Sequence, residues 1–323
     1  MAVSIAVERF PLATPFRIAR GSRTEAVVVV AEVTADGATG RGECVPYARY
    51  GESVDSVVAQ IESAGDVADR GALLAALPPG AARNALDCAL WDMEAKRAGR
   101  PAHLVVCTDP PRPLTTAFSI SLGAVGDMAE AARGASGHRV IKVKLGGRDG
   151  HDGARIDAVA SAASGSRFIF DANEGWTPDE LPTLMQHAAR AGALLVEQPL
   201  PADDDGALAG VPHPVPVCAD ESAHIGEGLE ALAGRYDFVN IKLDKTGGLT
   251  EALAMRARAR ELGFGVMVGC MVGTSLAMAP AVLLAQTADV VDLDGPLLLA
   301  RDRPHGLRYS GSLVSPPDPA LWG

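Results

Sequence analysis

The sequence predicts an α/β fold: a barrel of parallel strands alternating with helices, behind a smaller α+β region. Three observations predict it. Beyond about residue 115, eight short apolar runs alternate with Ala-rich amphipathic segments at intervals of roughly 22–29 residues, the period of βα units. The runs are apolar on both faces, which suits parallel strands covered by helices. No glycine-rich dinucleotide turn follows an early strand, which argues against a doubly wound open sheet.

The first third reads differently. Val27-Val28-Val29-Val30-Ala31-Glu32-Val33 is a strand, Asp36-Gly37 a turn, and Gly40 to Cys44 the return strand of an antiparallel meander. Residues 53–63 form a helix with Ser53 as N-cap. Residues 81–97 form a stronger one, with Ala85, Ala89 and Met93, and Leu86, Leu90 and Trp91, at helical spacing. Gly99-Arg100-Pro101 ends it. Asp109-Pro110-Pro111-Arg112-Pro113 is a stiff linker, and it divides residues 1–108 from a barrel of residues 109–295. The barrel strands are expected at 115–121, 139–145, 167–173, 194–200, 215–220, 238–243, 265–271 and 288–294. Residues 296–323 leave no room for a full eighth helix and are expected to run back to the N-terminal region.

The totals exclude some functions. A chain of 323 residues that is 48% hydrophobic can bury a large core. A net charge of −11 argues against nucleic acid or an anionic membrane as partner. Five scattered cysteines without a C-x-x-C pair argue against a disulfide framework or structural zinc, and for a reducing, cytoplasmic setting. The N-terminus shows no signal peptide, and no apolar run is long enough to span a bilayer. A homo-oligomer is left open.

The chemistry centres on Val140-Ile141-Lys142-Val143-Lys144-Leu145. Strand alternation puts Lys142 and Lys144 on one face, and two adjacent ammonium groups demand carboxylates opposite them. Asp171, Glu197 and Asp220 supply them, each ending a successive apolar run, and Lys242 follows. In such barrels the active site forms at the C-terminal strand ends, where these residues fall. Taken singly, each acid reads equally well as a helix cap or a salt-bridge partner. Three in register would be costly to bury uncompensated, and an oxygen-ligating cation such as Mg²⁺ resolves the cost. Mn²⁺ accepts the same ligands.

Asn173 lies two residues beyond Asp171, on the same strand face. Gln198 and Glu221 point away from that face, with Glu221 able to meet a lysine at the barrel mouth. Of Lys242 and Lys245, Lys242 is the nearer to the strand core, and Lys245 is placed in the loop. On strands two and six, Lys144 and Lys242 face each other across the barrel. Such a pair suits removal of a proton beside a carboxylate and its return from the opposite side, with the cation stabilising the enediolate. The base lysine needs a lowered pKa, which the cation and Lys142 are expected to supply.

Lys142-Val143-Lys144, Asp171-Ala172-Asn173, Glu197-Gln198-Pro199, Asp220-Glu221-Ser222 and Ile241-Lys242-Leu243-Asp244-Lys245-Thr246-Gly247-Gly248 together resemble the enolase superfamily, muconate-lactonising subgroup. The resemblance implies a (β/α)7β TIM-like barrel with an N-terminal α+β capping domain. It implies Asp171, Glu197 and Asp220 as Mg²⁺ ligands and Lys144 and Lys242 as the acid/base pair. Asp292-Leu293-Asp294 looks like the D-x-D of dipeptide epimerases, in which two carboxylates on one face hold an α-ammonium. Residues 42–53, 81–92 and Gly269-Cys270-Met271 resemble the L-Ala-D/L-Glu epimerase group in particular. The implied activity is epimerisation of L-Ala-L-Glu and L-Ala-D-Glu dipeptides, in the recycling of cell-wall (peptidoglycan) peptide.

By the same resemblance two cap loops close over the site, one around residues 14–21 and one around 47–53. Arg17, Arg20 or Arg49 would meet the glutamate side chain. Tyr47 or Tyr50 would line the pocket, and Ser119 and Ser275 lie near strand ends. Lys142 and Asn173 complete the expected substrate contacts. Epimerisation of other dipeptides, a lyase or cycloisomerase such as o-succinylbenzoate synthase, and an N-acylamino-acid racemase are the competing activities. Asp292 and Asp294 argue against the last two classes, whose substrates carry no ammonium. A non-catalytic binding protein is disfavoured by the intact acid/base residues. Residue preference at each dipeptide position is not legible.

Overall fold

The structure, a computed structural model, describes residues 1–65 and 69–323. The chain opens on an antiparallel sheet of β1 (Ala2–Ile18), β2 (Gly21–Ala35) and β3 (Ala38–Cys44). The valine run explains itself here. Val28 and Val30 point into the core shared with the barrel, while Val29, Ala31 and Val33 pack under the cap's own helices. A strand buried on both faces has no polar positions to spare.

Three helices cover the sheet: α1 (Val54–Ala64), α2 (Arg70–Ala76) and α3 (Ala81–Ala98). Ser53 caps α1 reciprocally: its hydroxyl accepts from Ser56 N at 3.1 Å and Ser56 Oγ accepts from Ser53 N at 2.9 Å. Helix α3 is buried along nearly its whole length because it is wedged between the sheet and the barrel. Gly99, in the left-handed region at φ 57°, ends it.

Eight strands then pair side by side in chain order: β4 (Phe118–Ile120), β5 (Val140–Lys144), β6 (Arg167–Asp171), β7 (Ala193–Glu197), β8 (Val217–Ala219), β9 (Phe238–Ile241), β10 (Gly265–Val268) and β11 (Val290–Val291). Every pairing is parallel, and each strand falls on one of the eight expected runs, β7 starting one residue ahead of its run. The curl is closed by Ala117 N donating to Val291 O at 2.9 Å and Leu293 N to Thr116 Oγ1 at 2.8 Å. Ile169, Leu195, Cys218 and Met267 fill the lower interior with Ala117. The architecture is therefore the expected TIM-like barrel behind an α+β cap.

Helices α4 (Val125–Gly134), α5 (Asp152–Ala162), α6 (Leu181–Arg190), α7 (Leu249–Glu261) and α8 (Ser275–Leu284) cover the outside. After β7 and β8 the connections carry only 3₁₀ turns, Gly206–Gly210 and Leu229–Leu232. Pro199, Pro201, Pro212, Pro214 and Pro216 deny the first connection a helix, and Gly226, Gly228 and Gly234 interrupt the second. Past β11 the chain returns to the cap. Leu299 bridges Leu12, Trp322 Nε1 donates to Cys88 O on α3, and Gly323 O accepts from Ala102 N at 2.7 Å.

Within the cap, helix α3 is locked onto β3 by close backbone approach. A Cβ at Gly42 would sit 2.1 Å from Ala85 O, and one at Gly40 2.1 Å from Ala89 O. Gly42→Ala should therefore destabilise the fold by about 1–3 kcal/mol by forcing α3 off β3, read as a lowered denaturant midpoint. An unchanged midpoint would mean the helix shifts at no cost.

Candidate active site

Strand alternation turns Lys142 and Lys144 of β5 into the barrel, with Ile141 and Val143 packed outward. Lys144 pairs in register with Asp171 of β6, and Asp171 with Glu197 of β7. Asp220 follows β8, Lys242 follows β9, and Asp292 and Asp294 follow β11. These residues are all buried at the same barrel mouth. Lys142 Nζ lies 2.7 Å from Glu197 Oε2, 2.7 Å from Asp292 Oδ2 and 3.3 Å from Asp171 Oδ2. Lys144 Nζ donates to Asp171 Oδ2 at 2.6 Å, and Lys242 Nζ to Asp220 Oδ2 at 2.7 Å.

Electrostatics follow from this contact set. Burial works against the Lys142 and Lys242 ammonium groups, yet the carboxylates beside them outweigh it and hold both well above the usual lysine value. Among the side chains alone, Asp220 and Glu197 favour the charged form of Lys242. Burial and the neighbouring Asp171 push Glu197 up. Asp220 is drawn well below the carboxylate range: burial opposes this, but Lys242 and Lys245 prevail.

Two sequence expectations need correction at this point. Lys245 is not a loop lysine in solvent. It is fully buried in a one-turn helix and donates to Asp220 Oδ1 at 2.7 Å, Asp220 O at 2.5 Å and Asn240 O at 2.9 Å. Strand alternation fails there because the chain turns helical at Leu243. Glu221 lines the cavity beside Asp220, and its partner is not a lysine but an arginine of the cap, Arg20, at 2.6 Å.

Above these groups lies a cavity of about 450 Å³, roofed by Ile18, Arg20, Tyr47 and Tyr50 of the cap. Asn173 lines it, in the left-handed region at φ 47°, with its backbone N bonded to Asp171 Oδ1. It sits on a turn rather than on the strand face. Arg17 does not reach the cavity. It is exposed on the opposite side of β1 from Phe16 and Ile18, which do line it. Ser275 does not reach it either: its hydroxyl donates to Asp302 and accepts from Leu307 N, so it fastens the C-terminal tail. Ser119 does line the cavity, its backbone N donating to Asp294 Oδ2 at 2.6 Å.

Sequence reasoning passed over three contributors. Asn240 Nδ2 donates to Glu197 Oε1 at 2.8 Å, a role signalled only by its place on the face of Lys242. Arg23 and Glu174 carry no local signal, since Arg23 meets Tyr47 of the other cap loop and Glu174 meets Arg20 and Arg49 of the cap.

As placed, no three His, Cys, Asp or Glu side chains among the described residues converge closely enough to grip an ion, since each acid turns toward an ammonium. The donor set still fits an oxygen-seeking divalent cation. Three buried carboxylates stand on adjacent strand ends. Asn173 Oδ1 makes no hydrogen bond, and Glu197 Oε2, though near Lys142, is out of line for one.

Comparison with known proteins bears on this geometry. Residues 1–106 match the mandelate racemase / muconate lactonizing enzyme N-terminal domain, and residues 124–317 match the enolase C-terminal domain-like family. The chain belongs to the enolase superfamily. Within that superfamily it is 46% identical to the L-Ala-D/L-Glu epimerase of Escherichia coli (strain K12), over 95% of this chain and 97% of that one. It is 44% identical to the N-acetyl-D-glutamate racemase of Pseudoalteromonas sp, over 88% and 91%. An enolase family member from Agrobacterium tumefaciens with homology to dipeptide epimerases, solved with sodium and L-Ala-L-Glu, superposes with TM-score 0.97 at 52% identity, covering 99% of each chain. A dipeptide epimerase from Cytophaga hutchinsonii, complexed with Mg and D-Ala-L-Val, superposes with TM-score 0.91 at 26% identity, over 98% and 92%. Epimerases and racemases are isomerases, and this enolase-superfamily chain is an enzyme of that class. Among the described residues no helix is long and apolar enough to cross a membrane.

Asp244, two residues beyond Lys242, faces the cap instead of the cavity. Its Oδ1 accepts from Val45 N and Asn84 Nδ2, both at 2.9 Å. Burial pushes its pKa up to about 7, only partly offset by those bonds. Folding therefore favours the neutral acid. The cost of ionising it is absent below about pH 4 and grows as pH rises to about 7. Asp244→Asn should remove that cost, gaining on the order of 2–4 kcal/mol over wild type at pH 8 and little at pH 4. Denaturant titrations at the two pH values test this, and an equal difference at both would refute it.

Proposed function

We propose that the enzyme interconverts L-Ala-L-Glu and L-Ala-D-Glu, moving the glutamate α-proton between Lys144 and Lys242. The observation that carries the substrate is the state of Asp292 and Asp294. Asp292 Oδ1 is buried without a hydrogen-bond partner, and burial and Asp292 push Asp294 up to about 7. Both carboxylates line the cavity. An α-ammonium between them would satisfy the orphaned oxygen and relieve the repulsion at once. Relatives that are dipeptide epimerases support the same reading.

The two bases stand apart in the way inversion requires. In the order β4 to β11, Lys144 on β5 and Lys242 after β9 are four strands apart in an eight-stranded barrel, hence on opposite walls. An α-carbon between them presents one face to each. Lys144 removes the proton from one epimer and Lys242 delivers it from the other side, with roles exchanged in reverse. Asp171, Glu197 and Asp220 would hold the cation, Mg²⁺ or Mn²⁺. Bound there, it would offset the charge developing on the substrate carboxylate and take up the carboxylate charge that now favours protonated Lys242. Lys142 stands ready beside the same carboxylate position, and Asn173 lines it from the turn after β6.

Arg23 is the cap group best suited to the glutamate side chain. It lines the cavity with its guanidinium 5.4 Å from the Tyr47 ring and has no carboxylate partner among the described residues. Arg20 and Arg49 are already committed to Glu174 and Glu221. Tyr50 closes the Lys242 side. We assign the reaction to cell-wall peptide recycling, and place it in the cytoplasm, a compartment that the five free cysteines support.

Proton NMR of L-Ala-L-Glu in D₂O with enzyme and Mg²⁺ should show loss of the glutamate α-proton signal and growth of L-Ala-D-Glu resonances, both suppressed by EDTA. Lys144→Ala and Lys242→Ala should each abolish interconversion. No exchange in wild type would remove the Ala-Glu assignment.

The relative acting on N-acetylglutamate makes a second comparison decisive, since that substrate carries no ammonium. Asp292→Asn should lower kcat/KM for L-Ala-L-Glu by roughly 100-fold, about the worth of a buried charge pair, without a matching loss on N-acetylglutamate. Equal losses on both would separate Asp292 from ammonium recognition.

A further inference from the structure

Both cap loops end on one barrel carboxylate. Arg20, at the tip between β1 and β2, donates to Glu174 Oε2 at 3.1 Å. Arg49, in the 3₁₀ turn Ala48–Tyr50, donates through Nε to Oε2 at 2.9 Å and through Nη2 to Oε1 at 2.8 Å. The same Oε1 accepts from Ala202 N at 2.9 Å, in the connection after β7. Arg20 also reaches Glu221 at 2.6 Å, Asn173 O at 3.1 Å and Tyr47 Oη at 3.1 Å, and Arg23 lies 5.4 Å from the Tyr47 ring, so the first loop meets the second directly at Tyr47.

Glu174 is held for this contact. It and Asn173 are consecutive non-glycine residues in the left-handed region, at φ 66° and 47°. That backbone is costly and persists only where its surroundings impose it. Here it lifts the Glu174 carboxylate out of the barrel mouth toward the cap, where it is nine-tenths buried between two guanidinium groups. Charge-assisted, partly bidentate bonds of this kind are the strong ones among surface contacts.

We propose that Glu174 is a latch: a positioning residue that holds both cap loops shut over the cavity and couples them to each other. It touches none of the groups assigned to the chemistry through its side chain. Its work is to keep Ile18, Arg23, Tyr47 and Tyr50 in place as a roof.

Limited trypsin digestion of the full chain tests this, because Arg17, Arg20 and Arg23 lie at the end of the β1–β2 hairpin and Arg49 in the 3₁₀ turn of the other loop. In Glu174→Gln, cleavage at all four should speed up by about tenfold, the loss expected for such pairs. Arg49→Gln, an exposed change that leaves the first loop's sequence intact, should speed cleavage at Arg17, Arg20 and Arg23 as well. That cross-loop effect is one a merely local role would not produce, and it stands even where Glu174→Gln fails to fold. Unchanged cleavage of the first loop in Arg49→Gln would overturn the latch. The kinetic arm rests on the dipeptide reading: KM for L-Ala-L-Glu should rise about tenfold in Glu174→Gln with kcat within about twofold. A fall in kcat at unchanged KM would overturn the latch and move Glu174 into the chemistry. Digestion needs no substrate, so failure of the dipeptide reading leaves it decisive.

Discussion

Everything at the barrel mouth depends on one electrostatic constraint: four buried lysines and five buried carboxylates must neutralise one another within a few ångströms. Isolated burial of any one ion would cost several kcal/mol, so no member is tolerable without the others. The barrel makes the solution possible by placing one charged side chain at the end of nearly every strand, in register with its neighbour. Lys144 meets Asp171, Asp171 neighbours Glu197, and Asp220 is shared by Lys242 and Lys245. Lys245 shows how strict the accounting is. It is as buried as a core leucine and spends all three donors on Asp220 and Asn240.

That balance leaves a deliberate remainder. Asp292 and Asp294 share Lys142 and a backbone amide between them, which is less cation than two carboxylates need. Arg23 at the roof has the opposite deficit. A zwitterionic ligand with a free ammonium at one end and a carboxylate side chain at the other completes both. In the proposed reading the unmet charge, more than the shape of the cavity, selects the substrate class.

Legibility in the sequence follows the range of the forces involved. The barrel could be read because parallel strands buried on both faces leave long apolar runs, and because the charged residues sit at fixed phase to those runs. Lys142, Lys144, Asp171 and Glu197 obey strand alternation directly. Lys245 and Asn173 were misplaced because the chain leaves strand geometry before reaching them, one into a helical turn and one into a left-handed turn. Arg17 was misplaced because the phase of β1 is hidden: the strand is half exposed and lacks a clean apolar face. Ser275 looked like a strand-end group but is consumed by the tail, a contact 27 residues distant in the chain. Glu174 left no local trace, since its partners lie 125 and 154 residues away.

The division of labour between the two parts of the chain has a physical basis. Barrel groups are held by ladders of backbone hydrogen bonds and by mutual charge, so they are rigid and keep the two lysines on opposite walls. Cap groups that roof the cavity sit on a hairpin tip and a 3₁₀ turn, elements with little burial of their own. Their position must come from elsewhere, and α3 cannot supply it, because its close packing on β3 fixes the body of the cap but not the loop tips. A carboxylate reaching up from the barrel is the economical answer. It aligns the roof of the cavity to the lysines and carboxylates beneath it, while leaving the joint weak enough to open for each turnover.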